Sequence, residues 1–457
     1  MKKYALSLCS TCAIIVAVQA QNSPAITAWL QNTTQTGSYY MSGNSTPIDN
    51  EILVNCQQVA YSNNWVYIKA TGVPAYPTGP FLDNNPYKAT NQNKIIKLPL
   101  NPTQNTGALT ATKLGAIGSL INGVSIFDYG DGGGWNAATN SLCGGAGYPQ
   151  CPGGPNAILF WHKDAVVAER HGFDCSKGHP ARGDYHHHQN PSAFKLDINV
   201  VSTICNLYDA DGLYTIDATQ HAPLIGYAMD GFPIYGAYGY KNADGTGDIV
   251  RMKSGYQLRN ITNRTHWADG TDVQDGPAVS TTYPLGLFRE DYEFIAHLEA
   301  EDYLDEHNGR FCITPEYPNG IYAYFATVDV QHNSAYPYVI GPNYYGNVVG
   351  SLVTSIDEEV TVYGNTSNVN NFSSPTPSLV VFPNPTADVI AIQINQLVTQ
   401  DVQVDLLELS GKLIRSTQIK TGQTIGYFDV LSLYSGTYLV KIYNTHFSET
   451  RKVVLNK

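Results

Sequence analysis

Six of the chain's 12 histidines fall in one stretch: His162, His171, His179 and the run His186-His187-His188 that follows Gly183-Asp184-Tyr185. In an extended segment alternate side chains share a face, so His186 and His188 project together while Tyr185 and His187 take the opposite side. His179 lies seven residues before His186, after Lys177-Gly178 and before Pro180, and a turn would fold it back as a third ligand, giving the candidate metal set His179, His186 and His188. Neutral imidazole nitrogen suits zinc, copper, nickel or iron, and three histidines with an open position form a catalytic type of geometry. Spacing does not choose the ion, because the affinity order is set largely by the metals themselves; the expected cofactor is a divalent transition metal such as zinc or copper. The bland alternative is a tyrosine- and histidine-rich β surface whose ring nitrogens bond backbone or tyrosine hydroxyls.

Other groups could serve such a site. Asp230 precedes a Gly-Phe-Pro turn and Glu306 ends an acidic cluster near His297 and His307; these two carboxylates are the candidate bases for a metal-activated water. Asp230 reads equally as a turn former that bonds its own backbone. If 289–306 is helical, His297 and Glu301 share a face and offer mixed ligands, against the simpler reading of a solvated face. Tyr185, Tyr235 and Asn308 are candidates to touch substrate or support the ligands. Aspartate-rich turns at 128–134, 209–212 and 242–248 place oxygens at alternate positions, a weaker case for calcium, since none has the twelve-residue loop ending in Glu. The sequence contains no G-x-x-x-x-G-K-[ST], G-x-S-x-G or H-E-x-x-H, so nucleotide binding, serine hydrolysis and the common zinc-protease pattern have no local support.

The elements that must position these groups read as strands. The chain has 457 residues, room for about two to four domains. Only 14% of them are charged, with 41 Gly, 25 Pro and 32 Tyr, a balance that favours turn-rich β structure over charged disorder or a helical bundle. Segments such as 65–70, 157–161 and 320–325 are rich in β-branched and aromatic residues. The persuasive helix candidate is 289–306, and no fixed-period repeat is visible. A net charge of −12 opposes a broad footprint on nucleic acid or an anionic membrane.

Both ends carry separate signals. Lys2 and Lys3, an apolar stretch and Val18-Gln19-Ala20 read as a signal peptide over 1–20, with Gln21 starting the mature chain. No other segment is apolar for long enough to span a bilayer as a helix, so no transmembrane anchor is expected. Export to an oxidising compartment suits the even set Cys56, Cys143, Cys151, Cys175, Cys205 and Cys312. The short loop between Cys143 and Cys151 predicts a disulfide there, and the pairing of the other four is open. Residues 365–378 read as a polar linker. Beyond them short alternating runs at 379–382, 389–394, 402–409, 412–418, 424–430, 437–443 and 449–455 predict a small antiparallel sandwich.

That last segment resembles the C-terminal sorting domain of the type IX (Por) secretion system over 379–457. The likeness rests on Phe382-Pro383-Asn384-Pro385, Leu409-Ser410-Gly411-Lys412, the run from Leu433-Tyr434-Ser435-Gly436 to Ile442, and the final Lys452-Val453-Val454-Leu455-Asn456-Lys457. The resemblance implies handling by the type IX machinery, a crossing of the outer membrane, and a destination at the cell surface or outside.

The central region resembles the YHYH family. The motifs are Asp174-Cys175-Ser176-Lys177-Gly178-His179-Pro180 with Gly183-Asp184-Tyr185-His186-His187-His188, Ile121-Asn122-Gly123-Val124, Gly226-Tyr227-Ala228-Met229-Asp230-Gly231-Phe232-Pro233, Leu304-Asp305-Glu306-His307-Asn308-Gly309-Arg310, and Tyr322-Ala323-Tyr324-Phe325 with Tyr336-Pro337-Tyr338. This chain departs from the pattern: His187 replaces the second Tyr, Ala323 stands where members often carry His, and His307 and Pro342 stand where the resemblance implies a cysteine pair. The resemblance supplies a domain over 21–364 and no reaction.

The sequence therefore predicts a mainly β exported protein whose large YHYH-like domain binds a transition metal and whose small sandwich directs type IX secretion. A metal-dependent hydrolase acting on an extracellular substrate and a tyrosine-rich adhesive or glycan-binding protein with packed histidines are the alternatives.

Overall fold

The structure, a computed structural model, describes residues 23–457 except 45, 84, 86, 146, 155–156, 158, 192–204, 206–211, 365–378, 395–400, 410 and 445–447. The expected signal peptide over 1–20 and linker over 365–378 lie outside the described residues. The fold is mainly β, and the chain divides into two compact units, Met1–Asn365 and Thr366–Lys457.

The first unit is organised by an eight-stranded mixed sheet. Its spatial order is Gly178–Ala181, Asp184–His187, Ser125–Phe127, Ala116–Leu120, Leu224–Ala228, Pro233–Tyr235, Ile321–Phe325 and Gly309–Cys312. Leu224–Ala228 and Pro233–Tyr235 are buried at every position, so this sheet is covered on both faces at its middle. Val124, Ile126, Tyr227, Ile234, Tyr324 and Phe325 belong to the core that results. A five-stranded antiparallel sheet, ordered Ser351–Val353, Lys94–Pro99, Trp65–Ala70, Cys56–Tyr61 and Thr361–Val362, contributes Val59, Val66, Ile68 and Ile96 to the same core.

The histidine-bearing hairpin forms one edge of the mixed sheet. Gly178–Ala181 pairs antiparallel with Asp184–His187 through Ala181↔Asp184, leaving Arg182 and Gly183 as a two-residue turn. Both have positive φ, 53° and 96°, the combination that matches the right-handed twist of a hairpin. Gly178 has no room for a Cβ because the Tyr185 phenol lies against it across the pair. Asp184–His187 then runs parallel to Ser125–Phe127, which ties the hairpin to the core sheet.

The helix expected over 289–306 does not form. Arg289–Asp291 is a short 3-10 turn, Tyr292–Phe294 is a strand, and turns follow. Tyr292–Phe294 pairs with Tyr256–Leu258, and Asp291 accepts hydrogen bonds from buried Arg264 at 2.7 and 2.9 Å. A cross-strand partner and a buried ion pair outweigh the loose helical spacing.

Disulfides join Cys143 to Cys151, as expected, and Cys175 to Cys205; Cys56 and Cys312 are buried free thiols.

The second unit contains two antiparallel sheets: Leu379–Phe382, Val389–Ile394 and Ile425–Asp429 in one, and Leu413–Ile419, Val402–Glu408, Gly436–Tyr443 and Ser448–Leu455 in the other. Ile390, Ile392 and Phe428 from the first meet Val404, Leu406, Val440 and Ile442 from the second in one core. Alternation is plainest along Val402–Glu408, where Val402, Val404 and Leu406 turn inward.

Candidate metal centre

His179 and His186 are directly paired across the hairpin, and His188 follows one residue beyond the strand. All three are buried, and their available ring nitrogens lie within 4.8 Å of one another. The Nε2 of His188 is 3.1 Å from that of His186 and 3.3 Å from that of His179. His187 points the other way: its Nδ1 donates to the Lys177 carbonyl at 3.1 Å, and its Nε2 meets the Tyr76 hydroxyl at 2.7 Å.

The remaining nitrogens explain the orientation of the cluster. His186 Nδ1 lies 2.8 Å from the Asp184 carbonyl, and His188 Nδ1 lies 2.9 Å from the Asp128 carbonyl. A carbonyl only accepts, so each Nδ1 carries a proton and the neutral ring keeps its lone pair on Nε2. Two lone pairs 3.1 Å apart repel unless a cation or a proton lies between them. Supporting a ligand histidine through its other nitrogen is the usual way proteins fix a metal-binding tautomer.

Aromatic rings wall the cluster. Phe127 stacks on His186 with centroids 4.0 Å apart, and Phe173 meets His179 edge-on at 4.9 Å. Burial pushes the His179 ring down to about 4 and His186 well below the usual imidazole range, so both stay neutral. Burial also acts to lower His188, but the Glu169 carboxylate beside it outweighs that effect and raises it. Glu169 was not among the residues singled out from sequence. Its Oε2 lies 3.4 Å from both His179 Nε2 and His188 Nε2, and it lines a cavity of about 220 Å³ with Asp83, Asn85, His171 and His179.

Residues 95–336, just over half of the 457-residue chain, match the family described as YHYH protein. The chain belongs to the YHYH family. Residues 380–456 match the secretion system C-terminal sorting domain. No curated protein matches the chain. The sorting domain indicates export by the type IX route to the cell surface or the extracellular space. Among the described residues no helix is long and apolar enough to cross a membrane.

Within the YHYH domain the other expected site residues are placed elsewhere. Tyr185 faces away from the ligand nitrogens, and its hydroxyl donates to the Asp174 carboxylate at 2.9 and 3.1 Å. Asp174 also accepts from the amides of Gly79, Ser176 and Gly178, so it pins the hairpin from behind. Asp230 is fully buried and accepts from Tyr324 Oη at 2.6 Å, Gly346 N at 2.8 Å and Phe232 N at 3.2 Å. Tyr235 donates to Glu316 at 2.8 Å, and Asn308 donates to the carbonyls of Phe325 and Val339. The half-exposed Glu306 carboxylate has His307 Nε2 at 3.8 Å, His297 stacks on Tyr303, and Glu301 accepts from the Ala243 amide. Neither Asp230 nor Glu306 joins the three-histidine group. Of the aspartate-rich turns, Asp244 bonds its own loop through Thr246, Asp128 pairs with Arg289, and 209–211 lie outside the described residues.

Proposed function

We propose that the YHYH domain is a transition-metal-binding module, held by His179, His186 and His188, which the sorting domain delivers to the outside of the cell. The signal peptide over 1–20 supplies the first export step in this reading. The observation that carries it is the 3.1 Å approach of two Nε2 atoms whose partner nitrogens are both committed to carbonyls. A surface of packed structural histidines would direct these nitrogens to separate partners. The ligand set lacks thiolate or thioether, which favours zinc or copper(II) over copper(I). The test is metal content of the exported chain beside a His186→Ala, His188→Ala variant. One ion per wild-type chain and none per variant is expected, and equal content in the two ends the proposal.

A second reading is metal-assisted hydrolysis of an extracellular substrate. The 220 Å³ cavity reaching His179 and Glu169 favours it, because a carboxylate beside a metal-bound water can act as its base. In this reading Glu169 takes the part first assigned to Asp230 or Glu306. Turnover of ester or glycoside panels by the metal-loaded chain, absent from the apo chain, is the outcome that supports it.

A further inference from the structure

Glu169 occupies a defined place in the fold. The helix Ala165–Ala168 starts at Asp164, whose side chain accepts from Val166 N, and ends at Glu169, whose amide bonds back to the Ala165 carbonyl. Asp164 is in turn held by the Tyr338 hydroxyl at 2.5 Å. After the 3-10 turn Arg170–Gly172, Gly172 packs so closely on Asp83 that an added Cβ would lie 2.6 Å from its Oδ2 and 3.4 Å from His179 Nδ1. The backbone that follows Glu169 is thereby packed against Asp83 and the His179 ring.

The distances do not describe an ordinary ion pair. A charge-assisted hydrogen bond from an imidazole to a carboxylate closes to about 2.7–2.9 Å. Glu169 Oε2 instead sits 3.4 Å from two nitrogens at once, nearer to neither. Four ligands on a tetrahedral ion at about 2.0–2.1 Å stand about 3.3–3.4 Å from each other. The separations His179–His188, His179–Glu169 and His188–Glu169 are 3.3, 3.4 and 3.4 Å, which makes one face of such a tetrahedron. His186 adjoins that face 3.1 Å from His188, while Glu169 stands outside the group of three histidines whose ligand atoms all lie within 4.8 Å of one another.

We propose that Glu169 Oε2 is the fourth ligand of a three-histidine, one-carboxylate zinc site, moving toward His186 as the ion draws the four groups into a tetrahedron. This rests on the metal reading above and deepens it. Three neutral imidazoles leave a divalent ion with its full charge in a buried place, and one carboxylate halves that charge. The carboxylate also decides between the two functions: with Glu169 bound the site is closed and holds its ion, and with Glu169 withdrawn a position opens toward the Asp83 and His171 cavity.

The test is cobalt(II) titration of the full mature chain, read by visible absorption and X-ray absorption, beside Glu169→Gln and Glu169→Asp. The wild type is expected to give the intense bands of four-coordinate cobalt. Glu169→Gln is expected to bind roughly tenfold or more weakly, with the weak bands of a water-filled higher coordination, and Glu169→Asp to restore part of the loss. A wild-type spectrum of six-coordinate cobalt, or a Glu169→Gln chain indistinguishable from wild type in affinity and spectrum, overturns the Glu169 assignment and leaves the three-histidine site standing. Failure of the wild type to bind cobalt or zinc at all removes both. The wild-type spectrum decides the matter even where a variant does not fold.

Discussion

His179 and His186 are direct partners across a two-residue hairpin, with ring centroids 4.6 Å apart, so the turn at Arg182-Gly183 sets the register of two ligands at once. A one-residue slip would send His186 to the opposite face.

The turn is therefore the first place to test. In Gly183→Ala a methyl group meets the Thr90 side chain in a backbone conformation with φ of 96°. Loss of about 1–3 kcal/mol of stability is expected. Metal affinity should fall with it, measured by chemical unfolding and zinc titration on the same sample. Unchanged affinity would mean that register does not depend on this turn.

His187 provides the contrasting case within the same motif. His187→Phe removes the partner of the part-buried Tyr76 hydroxyl and the donor to the carbonyl of buried Lys177. About 1–3 kcal/mol of stability should be lost, with metal content unchanged. A variant that loses its ion while keeping its unfolding midpoint contradicts the assignment of faces.

The Cys175–Cys205 disulfide encloses His179, His186 and His188 within one closed loop. Opening it releases chain entropy in the segment that must bring the three rings together. A Cys175→Ser, Cys205→Ser chain should lose about 2–5 kcal/mol of stability and bind zinc more weakly. Reduction of the wild type, followed by a chromogenic chelator, should release the ion faster than in the oxidised chain.

Asp230 gives a pH signature separate from the cluster. Burial pushes its carboxyl up to about 6 against an ordinary 3.8, in spite of the hydrogen bonds from Tyr324, Gly346 and Phe232. A carboxyl that holds its proton more tightly when folded contributes stability that is complete below about pH 3.8 and lost as pH rises through about 6. The stability difference between wild type and Asp230→Asn should therefore move against the wild type by on the order of 3 kcal/mol between pH 4 and pH 7. A pH-independent difference in urea melts would show that Asp230 does not titrate in this range.

Much of this arrangement was open to reading in one dimension. The strand Val402–Glu408 of the sorting domain buries Val402, Val404 and Leu406 at alternate positions and sits in a small two-sheet unit, where little competes with the local pattern. The pairing of His186 with His188 followed from the same period. The 289–306 segment misled because Tyr292 and Phe294 found a strand partner near Tyr256, an interaction absent from any local window. Glu169 went unnoticed because it lies outside the motif and ends a helix of only four residues.

The sequence by itself determined the address of the protein, its family, its β character and the fact that two imidazoles share a face, because strand alternation is a property of covalent geometry. Only the tertiary structure decided that the nitrogens converge. The direction of a histidine lone pair depends on what the other nitrogen bonds, and for His188 that partner is the Asp128 carbonyl, 60 residues away on a neighbouring strand's end. The Glu169 carboxylate arrives by the same kind of route, through packing that no spacing rule encodes.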